Sequence, residues 1–447
     1  MSELWIGVVC LGASLVLIQT GMHIGVALML LSFVGVWAIK DLTVAGKLLG
    51  SSVSTSIASD AYAVIPLFVL MGLFVSATNM GRDTFDVAAR LLRRLRGGLG
   101  IATVAANAVF AACTGTTIAS ASVFTKVAVP EMVRHGHSPN FSVGVVAGSS
   151  VLGMLIPPSI LMIIFGIIAN ISIADLFTSG ILPGIVLSLA FAVTILLLAY
   201  FWPAFVASDP NALRGGYGGP LADASFWVLG TKFLPVVILV GTVLGGIYGG
   251  FFTPTEAGGA GALAAFLIAL ARRELSLRVF WEIALETGRV TAAICFLLMA
   301  ASLYSQMLTL SGLPYAVGQW LQHAGLGFMP VLIGYLLVLI VLGCFLDSVS
   351  IMLIVLPFVI PVFDAFGVNL VWLGLISIIA IEIGLLTPPL GIAVFVVKAN
   401  LEDQRITTWD IFKGTTPMTL TMVLVLVICV LFPWLALVLV GQKWSWW

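Results

Sequence analysis

Long apolar stretches alternate with short polar segments along the chain. A helix needs about 20 apolar residues to cross a bilayer, and ten of the stretches meet that requirement. We predict membrane spans near residues 4–20, 22–39, 61–80, 142–170, 180–207, 228–248, 254–271, 289–309, 369–398 and 417–440. The pattern therefore predicts an all-α polytopic membrane protein.

Two further apolar stretches, 99–132 and 330–363, are too long for one span and are interrupted near their middle. The interruptions are ACTGTTIASAS (111–121) and GCFLDSVS (343–350). Each half has about 15 residues, or about 22 Å at 1.5 Å per residue, which is short of the roughly 30 Å hydrocarbon core. We predict two re-entrant hairpins with tips near the middle of the membrane.

Pro-Pro pairs interrupt two of the predicted spans, in GMLIPPSI (153–160) and LLTPPLGI (385–392). Proline inside a helix removes a backbone donor and costs about 3 kcal/mol. A broken helix exposes N–H groups at one half-helix end and C=O groups at the other, which attract anions and cations respectively. Such backbone is tolerated at membrane depth only where protein or a water-filled cavity surrounds it. We predict two broken helices that face the hairpin tips; the alternative is two packing kinks without a ligand.

The two halves of the chain repeat in one constant register without a gap. The matching pairs, all separated by the same distance in the chain, are Gly81 and Gly312, Cys113 and Cys344, Pro130 and Pro361, Gly136 and Gly367, Gly153 and Gly384, and Pro157-Pro158 and Pro388-Pro389. The polar stretch 208–227 predicts a linker between the halves. We therefore expect a first repeat at 1–207 and a second at 228–447.

Charge gives each repeat an orientation. Residues 81–98 contain five arginines, whereas the counterpart 312–329 contains no Lys or Arg. The positive-inside rule places 81–98 and the basic segment 272–278 in the cytoplasm and 312–329 outside. The repeats are then inverted and both termini lie outside. Inverted repeats with broken helices are typical of secondary transporters.

Composition narrows the function. The chain is 61% hydrophobic and 9% charged, with net charge zero and mean hydropathy +1.19. A chain with no net positive charge lacks the basic character typical of nucleic-acid-binding proteins. The five cysteines lie in apolar stretches without metal or redox spacing and are expected to be buried apolar residues. No Lys or Arg precedes Lys40, so we expect the first helix to be retained rather than cleaved as a signal peptide.

The candidate ion and substrate site combines the hairpin tips with the breaks. On the first side it contains Thr114, Gly115, Thr116, Thr117, Ser149, Ser150, Gly153, Pro157 and Pro158. On the second side it contains Asp347, Ser348, Ser350, Glu382, Thr387, Pro388, Pro389 and Gly391. Hydroxyl side chains also pack between membrane helices. Acids inside membrane segments are functional by default, although a neutral, hydrogen-bonded structural role stays open for both acids.

Other polar residues have simpler explanations. Thr253 and Glu256, with Pro254 between them, form the pattern of a capping box. Lys398 is expected to extend to an interface, and the role of Lys126 stays open. An intramembrane hydrolase with Asp347 and Glu382 is a remote alternative, because neither acid has an acid at the corresponding position of the other repeat. We expect no enzyme activity and no cofactor.

Several segments resemble the large membrane subunit of tripartite ATP-independent periplasmic (TRAP) transporters. They are GSSVLGMLIPPSI (148–160), ADLFTSGILPGI (174–185), GGFFTPTEAGGAGA (249–262), EIGLLTPPLGIAVFV (382–396), YAVIPLFVLMGLF (62–74) and the hairpin ACTGTTIASAS. The resemblance runs nearly end to end.

The resemblance implies sodium-driven uptake of an organic acid across the bacterial inner membrane by an elevator fold. It also implies a periplasmic solute-binding protein and a small four-helix membrane subunit, expected as a separate chain. One sodium site would use Thr114 to Thr117 with Ser149, Ser150 and Gly153, and the other Asp347, Ser348, Thr387 and Gly391. A stand-alone sodium- or proton-coupled carboxylate symporter of the same superfamily is the alternative.

Overall fold

The computed structural model describes residues 2–208, 225–325 and 327–441. The predicted linker lies mostly outside these residues. The first half contains α1 (Glu3–Gln19), α2 (Ile24–Ile39), α3 (Leu42–Ile57), a 3-10 helix (Asp60–Ala63), α4 (Val64–Ser76), α5 (Met80–Leu92), α6 (Gly98–Thr114), α7 (Thr117–Arg134), α8 (Pro139–Ser150), α9 (Leu152–Leu155), α10 (Ile160–Ala169), α11 (Ile173–Phe201) and α12 (Pro203–Val206).

The second half has a similar order of helices. It contains α13 (Phe226–Tyr248), α14 (Pro254–Ala271), α15 (Leu277–Ser311), α16 (Leu313–His323), α17 (Phe328–Gly343), α18 (Ser348–Asp364), α19 (Leu370–Leu385), α20 (Ile392–Asn400), α21 (Thr408–Leu431) and α22 (Trp434–Leu437). The all-α polytopic fold class is confirmed. The starts of α18 and α19 follow the starts of α7 and α8 by the same distance in the chain that separates Gly81 from Gly312.

Six described segments are long and apolar enough to cross a membrane, or seven if α3 and α4 form one bent span with a 54° break. The expected count of about ten also includes α1, α2 and the pair α19–α20. These three are shorter or broken, since α1 has 17 residues and α2 has 16.

Several predicted boundaries are wrong. α11 begins at Ile173 rather than 180, α15 at Leu277 rather than 289, and α21 at Thr408 rather than 417. Each helix continues beyond its apolar segment because polar side chains are tolerated where a helix reaches the interface. α3 was not predicted, because its sequence LTVAGKLLGSSVSTSI contains too many polar residues for a span.

Small residues bring broken helices and their neighbours into backbone contact. α8 packs on α21, where Gly144 and Gly414 face each other so closely that a Cβ on Gly144 would lie 2.1 Å from the carbonyl carbon of Gly414. α7 packs against α20, and α18 packs against α10 and α15. Each hairpin is therefore supported by a half-helix from the opposite half of the chain.

The capping box at the start of α14 is confirmed. The Thr253 hydroxyl accepts from the Glu256 amide at 3.3 Å, and the Glu256 carboxylate accepts from the Thr253 amide at 2.8 Å. Glu256 therefore stabilises a helix terminus.

Candidate functional site

The first hairpin tip closes on the first break through backbone groups. α6 ends at Thr114 and is followed by Gly115, which has a left-handed φ of +65°. The Gly115 carbonyl accepts a hydrogen bond from the amide of Ile160, at the start of α10 (3.3 Å). Thr116 caps α7 with its hydroxyl. The tip predicted from ACTGTTIASAS is therefore at 115–116, beside the break at 156–159.

The second tip closes on the second break in the corresponding way. The Cys344 carbonyl accepts from the amides of Leu390 and Gly391, both at 3.3 Å. Asp347 caps α18: its carboxylate accepts from the Ser350 amide at 3.1 Å and also from the Ser350 hydroxyl. Thr116 and Asp347 thus have the same structural role at corresponding positions of the two halves, which gives this acid a helix-capping function.

Glu382 joins the two tips. Its carboxylate accepts from the Thr117 hydroxyl at 2.8 Å and from the Ser348 hydroxyl at 3.0 Å. Its side chain lies in α19 and the residue is only 1% exposed. Thr117 and Ser348 are the first residues of α7 and α18. Two helix N-termini, which carry partial positive charge, therefore converge on one carboxylate.

Two glycines allow backbone oxygens of the first tip and the first break to lie close to the opposing backbone. A Cβ on Gly153 would lie 2.5 Å from the Thr116 carbonyl oxygen, and a Cβ on Gly115 would lie 2.7 Å from the Pro158 carbonyl oxygen. Any side chain at either position would fill this space. The absence of a Cβ brings the tip and the broken helix into direct backbone contact.

Most of the other predicted hydroxyls bond to their own helix. Thr114 donates to the Phe110 carbonyl at 3.2 Å, Ser150 to the Ala147 carbonyl at 2.8 Å, and Thr387 to the Ile383 carbonyl at 2.7 Å. Such a hydroxyl keeps oxygen lone pairs for a cation. The hydroxyl oxygens of these three residues are therefore available as ligands.

Asn107 was missed by the sequence analysis. It is fully buried in α6, and its Nδ2 donates to the Ser149 hydroxyl at 2.6 Å. Within the described part of the chain, its Oδ1 and the buried Ser120 Oγ have no hydrogen-bond partner. Buried oxygens are normally paired, so both are candidate ligands. The signal was a single amide in an otherwise apolar helix.

The two breaks differ in exposure. Pro157 and Pro158 are buried, whereas Pro388, Pro389 and Leu390 are exposed. The hairpins differ in the opposite sense. On α7 the residues Ile118 and Lys126 are exposed, and Ser122 between them donates to Asn400 of α20 at 2.9 Å. On α18 the counterpart of Ser122, Leu353, is buried. One face of the first hairpin is thus open, while the equivalent face of the second is covered.

A cavity of about 480 Å³ lies between α3, α15 and the end of α10. Its polar lining is formed by hydroxyl and amide groups, including Ser56, Tyr62, Asn170, Ser302 and Gln306. The lining contains no Lys, Arg, Asp or Glu among the described residues. It is therefore suited to water and to neutral polar groups.

The family described as "Tripartite ATP-independent periplasmic transporter, DctM component" matches residues 11–435. The C4-dicarboxylate TRAP transporter large permease protein DctM of Pseudomonas aeruginosa is 34% identical over 336 residues, which cover 75% of this chain and 76% of that protein. The protein of the same name from Rhodobacter capsulatus is 30% identical over 453 residues, which cover 96% of this chain and 97% of that protein.

A solved structure shares the fold. The YdaH transporter of Alcanivorax borkumensis superposes with a TM-score of 0.60 at 14% identity, covering 88% of this chain and 90% of that chain. The family match over nearly the whole length carries the assignment. This multi-pass membrane protein belongs to the family of the DctM component, the large permease of TRAP transporters.

Proposed function

We propose that this chain is the large permease of a sodium-coupled secondary transporter that carries an organic acid into the cell across the bacterial inner membrane. The observation that carries the proposal is the closure of each hairpin tip on a broken helix, with Glu382 hydrogen-bonded to both tips. Broken helices at membrane depth provide free carbonyl groups for a cation and free amides for an anion.

The donor set of the first site fits sodium. Hard cations prefer oxygen ligands such as carbonyls and hydroxyls. The Thr116 carbonyl oxygen lies against Gly153, and the orphaned oxygens of Asn107 and Ser120 lie on the two helices of the same hairpin. These groups would hold the first ion, and Ser149 and Ser150 would support them.

The second site has a different chemistry. Carbonyl oxygens of Thr387, Pro388 and Pro389 accept no backbone hydrogen bond among the described residues. Asp347 caps the adjacent tip and adds negative charge. The second ion would therefore be held mainly by the exposed break, where backbone carbonyls are freed by the prolines.

An organic acid suits the anion-binding side of the breaks. Relatives are named for C4-dicarboxylates, ectoine and sialic acid. Lys126 is exposed on a hairpin helix and takes part in none of the ion pairs formed by the described residues. A charged side chain at membrane depth faces protein or a water-filled cavity. We propose that this open face is the route by which the acid leaves toward the cytoplasm.

The unequal exposure of the two breaks supports an elevator mechanism with inverted repeats. The second hairpin is covered by α15 and α10, and the first hairpin is open. If the two hairpins exchanged these environments, the second hairpin would become open and the first would become covered. The site would then be accessible from the opposite side of the membrane. The transport domain would then contain α6–α10 and α17–α20.

Two partners are proposed. A relative in Oleidesulfovibrio alaskensis is named isethionate TRAP transporter permease protein DctMQ, and this chain matches 62% of its length. We propose a small membrane subunit as a separate chain and a periplasmic binding protein that delivers the acid.

Reconstitution separates this proposal from the stand-alone symporter. Liposomes should contain this chain alone, with the small subunit, and with both partners, under an inward sodium gradient. The proposal expects uptake only in the complete system, and its loss when potassium replaces sodium. Robust uptake by the chain alone would favour the stand-alone symporter.

A further inference from the structure

One carboxyl group serves two hairpin tips that are otherwise built separately. Thr117 and Ser348 occupy corresponding positions of the two halves, and each begins the second helix of its hairpin. Glu382, which accepts from both hydroxyls, has Val151 as its counterpart in the first half. The contact is therefore not duplicated by the repeat: a single side chain lies between the two tips.

Burial strengthens the hydrogen bonds between Glu382 and the two tips. Glu382, Thr117 and Ser348 are at most 5% exposed. Hydrogen bonds are stronger in a low-dielectric interior, and an unpaired buried acceptor is costly. α19 also packs on α9 in the first broken helix. Loss of order at one tip would therefore leave the Glu382 carboxyl partly unpaired and weaken its contact with the other tip.

We propose that Glu382 is a positioning residue that couples the two hairpin tips, so that ordering one tip orders the other. This inference rests on the proposed function in one respect: sodium at each break is the agent that orders its tip. Two sites that bias one shared element are coupled reciprocally. Sodium at the first site should then raise the affinity of the second site.

Hydrogen–deuterium exchange of the full chain in lipid nanodiscs tests the coupling without sodium. Thr117→Val removes the first donor, and we expect faster amide exchange at the opposite tip, 343–350. Ser348→Ala should have the reciprocal effect at 111–121. The conservative changes Thr117→Ser and Ser348→Thr keep the hydroxyls and should leave exchange at the opposite tip as in the unsubstituted chain.

A matched control lies on the same helix. Ser377 of α19 shares a buried hydrogen bond of 2.7 Å with Tyr335, away from both tips. Ser377→Ala should leave exchange at both tips unchanged. If Thr117→Val accelerates exchange only at its own tip, or if Ser377→Ala loosens the tips equally, the coupling role is overturned.

Exchange measured at increasing sodium concentrations separates the proposed coupling of the tips from the proposed sodium sites. In the unsubstituted chain, sodium should slow amide exchange at both tips over the same narrow range of sodium concentrations. In the Glu382→Gln variant, the sodium concentrations that give half-maximal protection of the two tips should differ by about fivefold or more. Protection of both tips by sodium without any cross-tip effect of Thr117→Val would leave sodium binding intact and refute the coupling. A cross-tip effect without sodium protection would support the coupling and refute the ion sites.

Discussion

Asp83 on α5 accepts a 2.6 Å hydrogen bond from Lys232 on α13, 149 residues later in the chain. The same carboxylate pairs with Arg272, whose Nε lies 3.3 Å from Glu274. Glu274 in turn accepts from the amide and side chain of Asn79. This network connects the amphipathic helix that precedes the first hairpin to α13 and α14.

Asp83→Asn should destabilise the protein. The Asp83 side chain is 7% exposed, and its loss leaves Lys232 and Arg272 without their shared partner. We expect a cost of about 1–3 kcal/mol in unfolding free energy, less than for a fully buried pair because both cations are partly exposed. Thermal unfolding in detergent measures it. Glu282→Gln breaks the exposed pair with Arg278 and should stay within about 0.5 kcal/mol; equal losses would contradict the network's role.

The orientation of the repeats is tested by labelling. Arg82 on α5 and Gln319 on α16 are both exposed and lie on corresponding helices of the two halves. On a background without reactive cysteines, Arg82→Cys should react with an impermeant maleimide only from the cytoplasm. Gln319→Cys should react only from the periplasm. Labelling of both positions from one side would end the inverted-repeat proposal.

Replacing Pro388-Pro389 by Ala-Ala should raise the sodium concentration for half-maximal uptake. Alanines would let the helix close and pair the carbonyls of this break with backbone amides. We expect a rise of about tenfold, since loss of a contact worth about 1.4 kcal/mol changes a binding constant tenfold. Uptake against sodium in the complete system measures it.

Pro417→Ala, inside α21 and outside both Pro-Pro pairs, is the matched control. It removes a helix proline without changing the Pro-Pro pair of either proposed ion site. Its sodium dependence should equal that of the unsubstituted chain. An unchanged sodium curve for the double-alanine variant would refute the ion site at this break.

The open face of the first hairpin predicts a difference in accessibility between the halves. Lys126→Cys should react with an impermeant thiol reagent added to inside-out vesicles. Leu353→Cys should not react, because Leu353 is buried on the equivalent face of α18. Equal reactivity of the two positions would show that the hairpins are not in different environments.

His137 gives the protein a pH-dependent stability. Burial lowers the pKa of this imidazole from 6.5 to about 4, and its Nδ1 contacts the Met132 carbonyl at 3.2 Å. The unfolded chain then binds a proton between pH 6.5 and 4 that the folded chain does not. We therefore expect the contribution of the neutral His137 to stability to be complete above pH 6.5 and to be lost as the pH is lowered toward 4. His137→Phe, which can still stack on Phe141, should flatten thermal stability across this window; an unaltered pH dependence would contradict this.

Local chemistry was predictable from the sequence. The hairpin turns lie within the predicted segments 111–121 and 343–350, and the Pro-Pro pairs interrupt helices as expected. Each of these features depends on residues adjacent in the chain, such as the prolines or Gly115. The Thr253–Glu256 capping box is predictable for the same reason.

Long-range convergence was not predictable. Thr117 and Glu382 are 265 residues apart, and no local pattern reports that their side chains meet. Glu382 was identified only as an acid in an apolar segment, with its role open. α3 was missed because its sequence LTVAGKLLGSSVSTSI contains polar residues throughout, and a search for apolar spans does not detect such a helix.

The exposed second break has a practical consequence. Under the proposed elevator mechanism, a small antibody fragment selected against the surface around Pro388–Leu390 would recognise only molecules in the arrangement described, because this surface would become buried, as Pro157–Ser159 is here, when the two breaks exchange environments. Such a reagent would act as a conformational trap. It would hold the transporter in one conformation of its cycle. The fraction of molecules that bind the fragment would give the population of that conformation.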